Sequence, residues 1–199
     1  KIPLLYFVLG KLFQALGWWL LSMRGDIPLW VSADLGNPLL FTGLFLEVAA
    51  LGRLCQYRTY LERFLVAWIA LGTLTFWTMA TNPALMVVVS GTVVAGIYSA
   101  GGIALLWARK ISHLQRLTAI SFLAFCPILL TRVYDSLTGE TTLLTLSRIQ
   151  SITFMFQFCL LLVGAVGLLL LMKEADDRLL NESECRERER RVIQSRFID

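Results

Sequence analysis

Apolar runs longer than a soluble core uses dominate this chain. Between Arg63 and Arg109 lie 45 residues without Asp, Glu, Lys or Arg, and between Arg148 and Lys173 another 24. A helix crossing the hydrocarbon core needs about 20 apolar residues, so the first run fits two spans and the second fits one. The whole pattern predicts an all-α membrane protein, a six-transmembrane-helix bundle continuing into a long cytoplasmic helix. The spans fall at about 3–23, 29–52, 64–81, 84–108, 117–136 and 149–172, by length and hydropathy. Arg24-Gly25-Asp26-Ile27-Pro28 makes a tight polar turn after the first. Thr81-Asn82-Pro83 allows only a hairpin turn, and a polar loop from Leu137 to Arg148 precedes the sixth span.

Composition agrees. The chain is 57% hydrophobic and 16% charged, with a mean hydropathy of +0.68, whereas soluble domains carry about 25% charged residues. A soluble enzyme, a secreted disulfide scaffold and a disordered chain are excluded. The net charge of +4 does not indicate nucleic acid. Six of the 18 basic residues (Arg53, Arg58, Arg63, Arg109, Lys110 and Arg116) lie in two short loops, and seven lie in the last 27 residues beside eight acids. The other three loops hold Arg24, Arg132 and Arg148. Lys/Arg-rich loops stay cytoplasmic, which puts the loops after spans two and four, and both chain ends, on that side.

Ionisable groups inside a bilayer are costly and face the bundle interior. Lys11 and Glu47 fall at similar depth on antiparallel neighbours, which predicts a structural ion pair, with a sensing role as the alternative. Pro38 has no amide hydrogen for the carbonyl of Asp34, so a kink and a free carbonyl are expected there. Asp34, Asn37, Trp30, Arg132, Tyr134, Gln150 and Gln157 share the outer half. They form either an internal network holding the helices in register or a pocket for a small amphiphilic or periplasmic signal. Trp18, Trp19, Trp30 and Trp77 fit an interfacial aromatic belt.

The fourth span places Gly91, Ala95 and Ser99, then Gly96 and Ala100, at four-residue spacing, with Gly101 and Gly102 beside them. Small residues so spaced let helices approach closely in lipid, within the chain or, alternatively, against a second copy. Cys126 and Cys159 fall in apolar runs and read as buried small hydrophobes. His113 is the only histidine, so neither a triad nor a metal site is expected. No glycine-rich phosphate loop occurs, and no cofactor is expected in this chain.

From Lys173 the sequence KEADDRLLNESECRERERRVIQSRFID has no Gly or Pro and is dense in helix formers. Met172, Leu179, Arg186 and Ile193 follow a period of seven, interrupted in the middle. Such a seam suits a weakly packed signalling helix rather than an ideal coiled coil. The stretch Arg186–Asp199, RERERRVIQSRFID, resembles the approach to the first dimerisation helix of bacterial sensor histidine kinases. Gly17–Leu51 also resembles the multi-span sensory regions of such kinases and of diguanylate cyclases. The chain begins without methionine and stops in a charged helix, so a piece of a longer protein is expected. Residues 1–172 would form the sensor domain and 173–199 the helix leading to a kinase domain. The resemblance implies signal sensing and transmission for a two-component system at the bacterial inner membrane. It further implies a homodimer through Leu179 and Ile193, a response regulator as partner, and ATP and Mg in the kinase domain. A diguanylate cyclase anchor, a transporter and a membrane-complex subunit are the alternatives.

Overall fold

The computed structural model describes residues 2–54, 59–79, 82–107, 112–138 and 148–196. Six α-helices follow in order: α1 (Ile2–Ser22), α2 (Gly36–Leu54), α3 (Thr59–Thr78), α4 (Pro83–Leu106), α5 (His113–Leu137) and α6 (Arg148–Arg196). Among the described residues there is no strand beyond one isolated bridge between Arg24 and Ile27. That bridge closes the turn after α1, where Gly25 takes φ +107°, a backbone that side-chain-bearing residues rarely adopt. Cys55, Arg58, Arg109, Lys110, most of the polar loop before α6 and the last three residues lie outside the described residues. So do the side chains of Gln150, Leu179 and Ile193.

Among the described residues, five helical stretches are long and apolar enough to cross a membrane: Ile2–Ser22, Trp30–Leu54, Pro83–Leu106, His113–Leu137 and Met155–Asp177. The chain is therefore an all-α protein of membrane character. The expected third span, α3, falls short of the other five in hydropathy. Its 20 residues hold Glu62, Arg63 and four threonines. The second span is not one regular helix either. A π-helical segment, Trp30–Leu35, leads into α2, so the irregularity expected from Pro38 begins about two turns before the proline. Asn82 caps α4 by accepting from the amides of Ala84 and Leu85, and Ser112 caps α5 through the amide of Gln115.

Helices α1 and α2 pack as one antiparallel pair and α4 and α5 as another, with α3 against α2 and α4. The helix α6 lies mainly on α5 and touches α2 more thinly. The core runs between the pairs: Phe41, Leu44 and Val48 of α2 meet Ile97 and Tyr98 of α4 and Phe122 and Phe125 of α5. The Tyr98 ring sits edge-on to Phe122 and Phe125, at 5.0 and 5.5 Å.

The glycines of the small face of α4 pack within the chain. Gly91 meets Val133, Gly101 meets Val48, and Gly102 meets Leu123 and Ala119. One expectation is corrected here. Cys159 is exposed rather than buried, because the inward stripe of α6 is Thr153, Gln157, Leu160 and Gly164. Position 159 points the other way.

Candidate functional site

Between Tyr6 and Ser22, helix α1 is apolar except for Lys11 and Gln14, one turn apart, both of which reach Glu47 of α2. Here α1 is unusually close to its neighbour. A methyl group on Gly10 would lie 2.9 Å from the carbonyl oxygen of Gly43, and one on Gly43 would lie 2.7 Å from the amide nitrogen of Gln14. Backbones in contact leave no room for water, so the polar side chains beside them must satisfy one another.

They do so around Glu47, which is 2% exposed. The Lys11 ammonium donates to Glu47 Oε2 at 2.9 Å and to Gln14 Oε1 at 3.2 Å, and makes a longer 3.4 Å contact to the backbone carbonyl of Leu161. An ammonium has three N–H bonds, and here each faces an oxygen. Gln14 Nε2 donates to the same Glu47 oxygen at 2.7 Å, so the amide bridges cation and anion. The Phe7 ring lies 5.3 Å below the cation. The other carboxylate oxygen, Oε1, is set against Gly164 of α6, where any Cβ would collide with it. Glu47 and the buried phenol of Tyr98 are close enough to interact electrostatically.

The cluster therefore joins three helices. Its contacts with α6 are the Leu161 carbonyl and the bare backbone of Gly164. Turning α6 by one residue would bring Val163 or Ala165 onto the carboxylate instead. One rotational setting of α6 thus fits the pair best. One turn further along α6, Gly167 admits Thr118 of α5.

A second ionic group ties the ends of α1, α2 and α3. Arg53 donates from Nε to Glu62 Oε1 at 2.6 Å, and from one terminal nitrogen to Glu62 Oε2 at 3.2 Å and the Tyr6 hydroxyl at 2.7 Å. Its guanidinium stacks 3.8 Å over the Tyr6 ring. Arg53 is thus a paired end of α2 rather than a loose loop cation.

The outer polar residues are placed differently from one another. Asn37 is buried and donates back to the Ala33 carbonyl at 2.9 Å. The Asp34 carbonyl, left without a donor by Pro38, accepts from the Trp77 indole at 3.0 Å. Trp30 and Tyr134 are 66% and 67% exposed on the outside of the bundle, so the structure does not bring them to the others. Arg132 is half-buried and close enough to Arg24 for their charges to repel. Burial pushes the Arg24 guanidinium, in the turn after α1, below its usual range, and its Nε has no hydrogen-bond partner. Gln157 is 3% exposed, and its Nε2 is buried without a partner. Among the described residues no three His, Cys, Asp or Glu side chains gather around a possible metal position.

Three contributors were not singled out from sequence: Gln14 as the bridge, Gly164 as the contact on α6, and Glu62 as the partner of Arg53. Gln14 was findable, since it stands three residues after Lys11 on the same helical face. Comparison of the chain with protein-family models, curated proteins and solved structures finds no match.

Proposed function

We propose that this chain is the signal-sensing and transmitting region of a bacterial two-component histidine kinase, seated in the inner membrane. The observation that carries the reading is the Lys11–Gln14–Glu47 cluster, a buried charged joint against α6, a 49-residue helix. A buried ionic group is weak evidence for stability, and its best-attested use is to set register. A register-setting joint on a helix that runs on past its apolar stretch suits a transmitter. Beyond Asp177, residues 183–190 of α6 are exposed, and all but Cys185 are polar. On this reading α3 also crosses the membrane and completes the six spans, its charged first turn at the interface beside Arg53, and both ends are cytoplasmic. The charged part of α6 pairs with that of a second chain near Leu179 and Ile193. A signal from the outer half, around Asp34, Asn37, Arg132 and Gln157, shifts α6 between two settings of the joint. ATP and Mg serve the kinase domain, which phosphorylates a response regulator.

The test uses the natural protein in vesicles, supplied with labelled ATP and magnesium. Formation of an acid-labile phosphohistidine is expected, with its level changed at least several-fold by Glu47→Gln. Conversion of GTP to a cyclic dinucleotide would favour the cyclase alternative. Phosphorylation that ignores substitutions at Lys11, Glu47 and Gly164 alike would leave the kinase reading standing and remove the joint from it.

A further inference from the structure

The seam between α3 and α4 is open along part of its length. Near the end that carries Arg53, a groove of about 500 Å³ runs along it, bounded by Tyr60, Phe64 and Trp68 on α3 and by Gly96, Ala100 and Trp107 on α4. That volume is in the range of small-molecule sites, roughly 300–1,000 Å³. Its walls are carbon almost throughout. The Trp68 indole lies across Gly96, donates to the Val93 carbonyl at 3.1 Å and stacks on Phe64 at 6.1 Å. It closes the groove off from a smaller cavity of about 180 Å³ beyond it.

We infer that this groove holds one acyl chain of an anionic phospholipid, with the phosphate at Arg63. Two observations fix the occupant. From Trp107 to Gly96, α4 rises about 16 Å, half of a hydrocarbon core about 30 Å thick. The groove thus matches one leaflet, whereas a partner helix would need the whole seam that Trp68 blocks. An uncompensated cation, Arg63, also stands on α3 within one turn of the lining residues Tyr60 and Phe64. Arg63 follows Glu62, but Glu62 is held by Arg53, whose guanidinium also rests on Tyr6. Among the described residues Arg63 has no ion-pair partner, and it stands exposed beside Tyr60 and Phe64. An apolar tail under an anionic head satisfies both features. The site rests on α3 being a span, as proposed above, and is independent of the kinase reading.

The experiment reconstitutes the chain in phosphatidylcholine vesicles and quenches tryptophan fluorescence with brominated phosphatidylglycerol or brominated phosphatidylcholine at equal mole fraction. Trp68 and Trp107 line the groove and report on its occupant. The anionic lipid is expected to be preferred about fivefold, the effect of one basic residue at an anionic surface. Arg63→Gln should bring the ratio close to one, and Ala100→Phe should reduce quenching by both lipids. Because Arg63 is exposed, its variant keeps the fold even if Ala100→Phe does not. Equal quenching by the two lipids in the parent chain overturns the site and leaves ordinary boundary lipid. A crosslink between two chains through Ile103→Cys, with no lipid preference, overturns it in favour of a second copy. A Leu71→Cys variant separates the two readings. Labelling there by a water-soluble maleimide removes α3 from the membrane, whereas protection without lipid preference removes the lipid site alone.

Discussion

The α1–α2 seam and the α3–α4 seam both use glycine, to opposite ends. Between α1 and α2, Gly10 faces Gly43 and Gly17 faces Gly36, and what Gly10, Gly17 and Gly43 would strike is backbone: a methyl on Gly17 would lie 2.9 Å from both the Gly36 carbonyl and the Leu40 amide. Between α3 and α4, Gly72 and Gly96 instead receive side chains, Val93 and the Trp68 indole. Backbone-to-backbone contact shuts out solvent and lipid and forces the polar groups beside it to pair, which is where Lys11, Gln14 and Glu47 sit. A side chain lodged over a glycine holds its helix at a distance and leaves space at its flanks, which is where the groove lies. The same residue type thus makes a rigid joint in one place and a receptive seam in another.

The difference should be largest in the charged joint. Lys11→Ala or Glu47→Ala leaves a buried charge without its partner, and loss of one member of a buried pair costs about 3–5 kcal/mol. The double exchange, Lys11→Glu with Glu47→Lys, is expected to recover much of that loss. Thermal unfolding in detergent, read by circular dichroism, measures both. Recovery of nothing by the exchange would mean that the geometry at Gly164, rather than the charge pairing, sets the stability of the joint.

Next come the glycines themselves. Gly43→Ala pushes a methyl group into the Gln14 amide and the Gly10 carbonyl, neither of which can move without moving a helix, and overpacking of this kind costs roughly 1–3 kcal/mol. Gly96→Ala meets only the Trp68 ring, which has the groove to yield into. We expect less than about 1 kcal/mol there, with a shift in tryptophan emission that Gly43→Ala does not give. Similar losses at the two sites would erase the distinction between the seams.

How much of this could be read from the residues follows the same division. The apolar runs gave the membrane character and most helix limits, because length and hydropathy are summed over many residues. The pairing partner of Lys11 was legible from depth alone. The α1–α2 register was present too. Gly10 with Gly43 and Gly17 with Gly36 add to one total, as an antiparallel register requires, but glycines seven apart on separate helices do not declare themselves as partners. Glu62 was hidden because its helix start was placed at residue 64. The contact at Gly164 depends on how α6 is rotated. A helix apolar nearly all round leaves that rotation unspecified, and the same indeterminacy misplaced Cys159. Trp77 read as an interfacial anchor, since a tryptophan near a helix end ordinarily is one.

Trp77 gives the smallest and most specific break in the comparison. The helix α3 is held at its middle by Trp68 on the Val93 carbonyl and near its far end by Trp77 on the Asp34 carbonyl. Both ties are single indole N–H bonds from side chains, consistent with a helix that stands off from its neighbours. The Asp34 carbonyl needs Trp77 only because Pro38 offers no amide hydrogen. Trp77→Phe keeps an aromatic ring and removes the donor, which costs about 1 kcal/mol, the net worth of one such bond. In a Pro38→Ala background the amide at position 38 can serve the carbonyl, and Trp77→Phe should then cost close to nothing. Unfolding of the four proteins in this cycle yields the coupling directly. A cost for Trp77→Phe that is the same with and without Pro38 would show that the indole ring's packing, and not its hydrogen bond, ties α3 to the rest of the bundle.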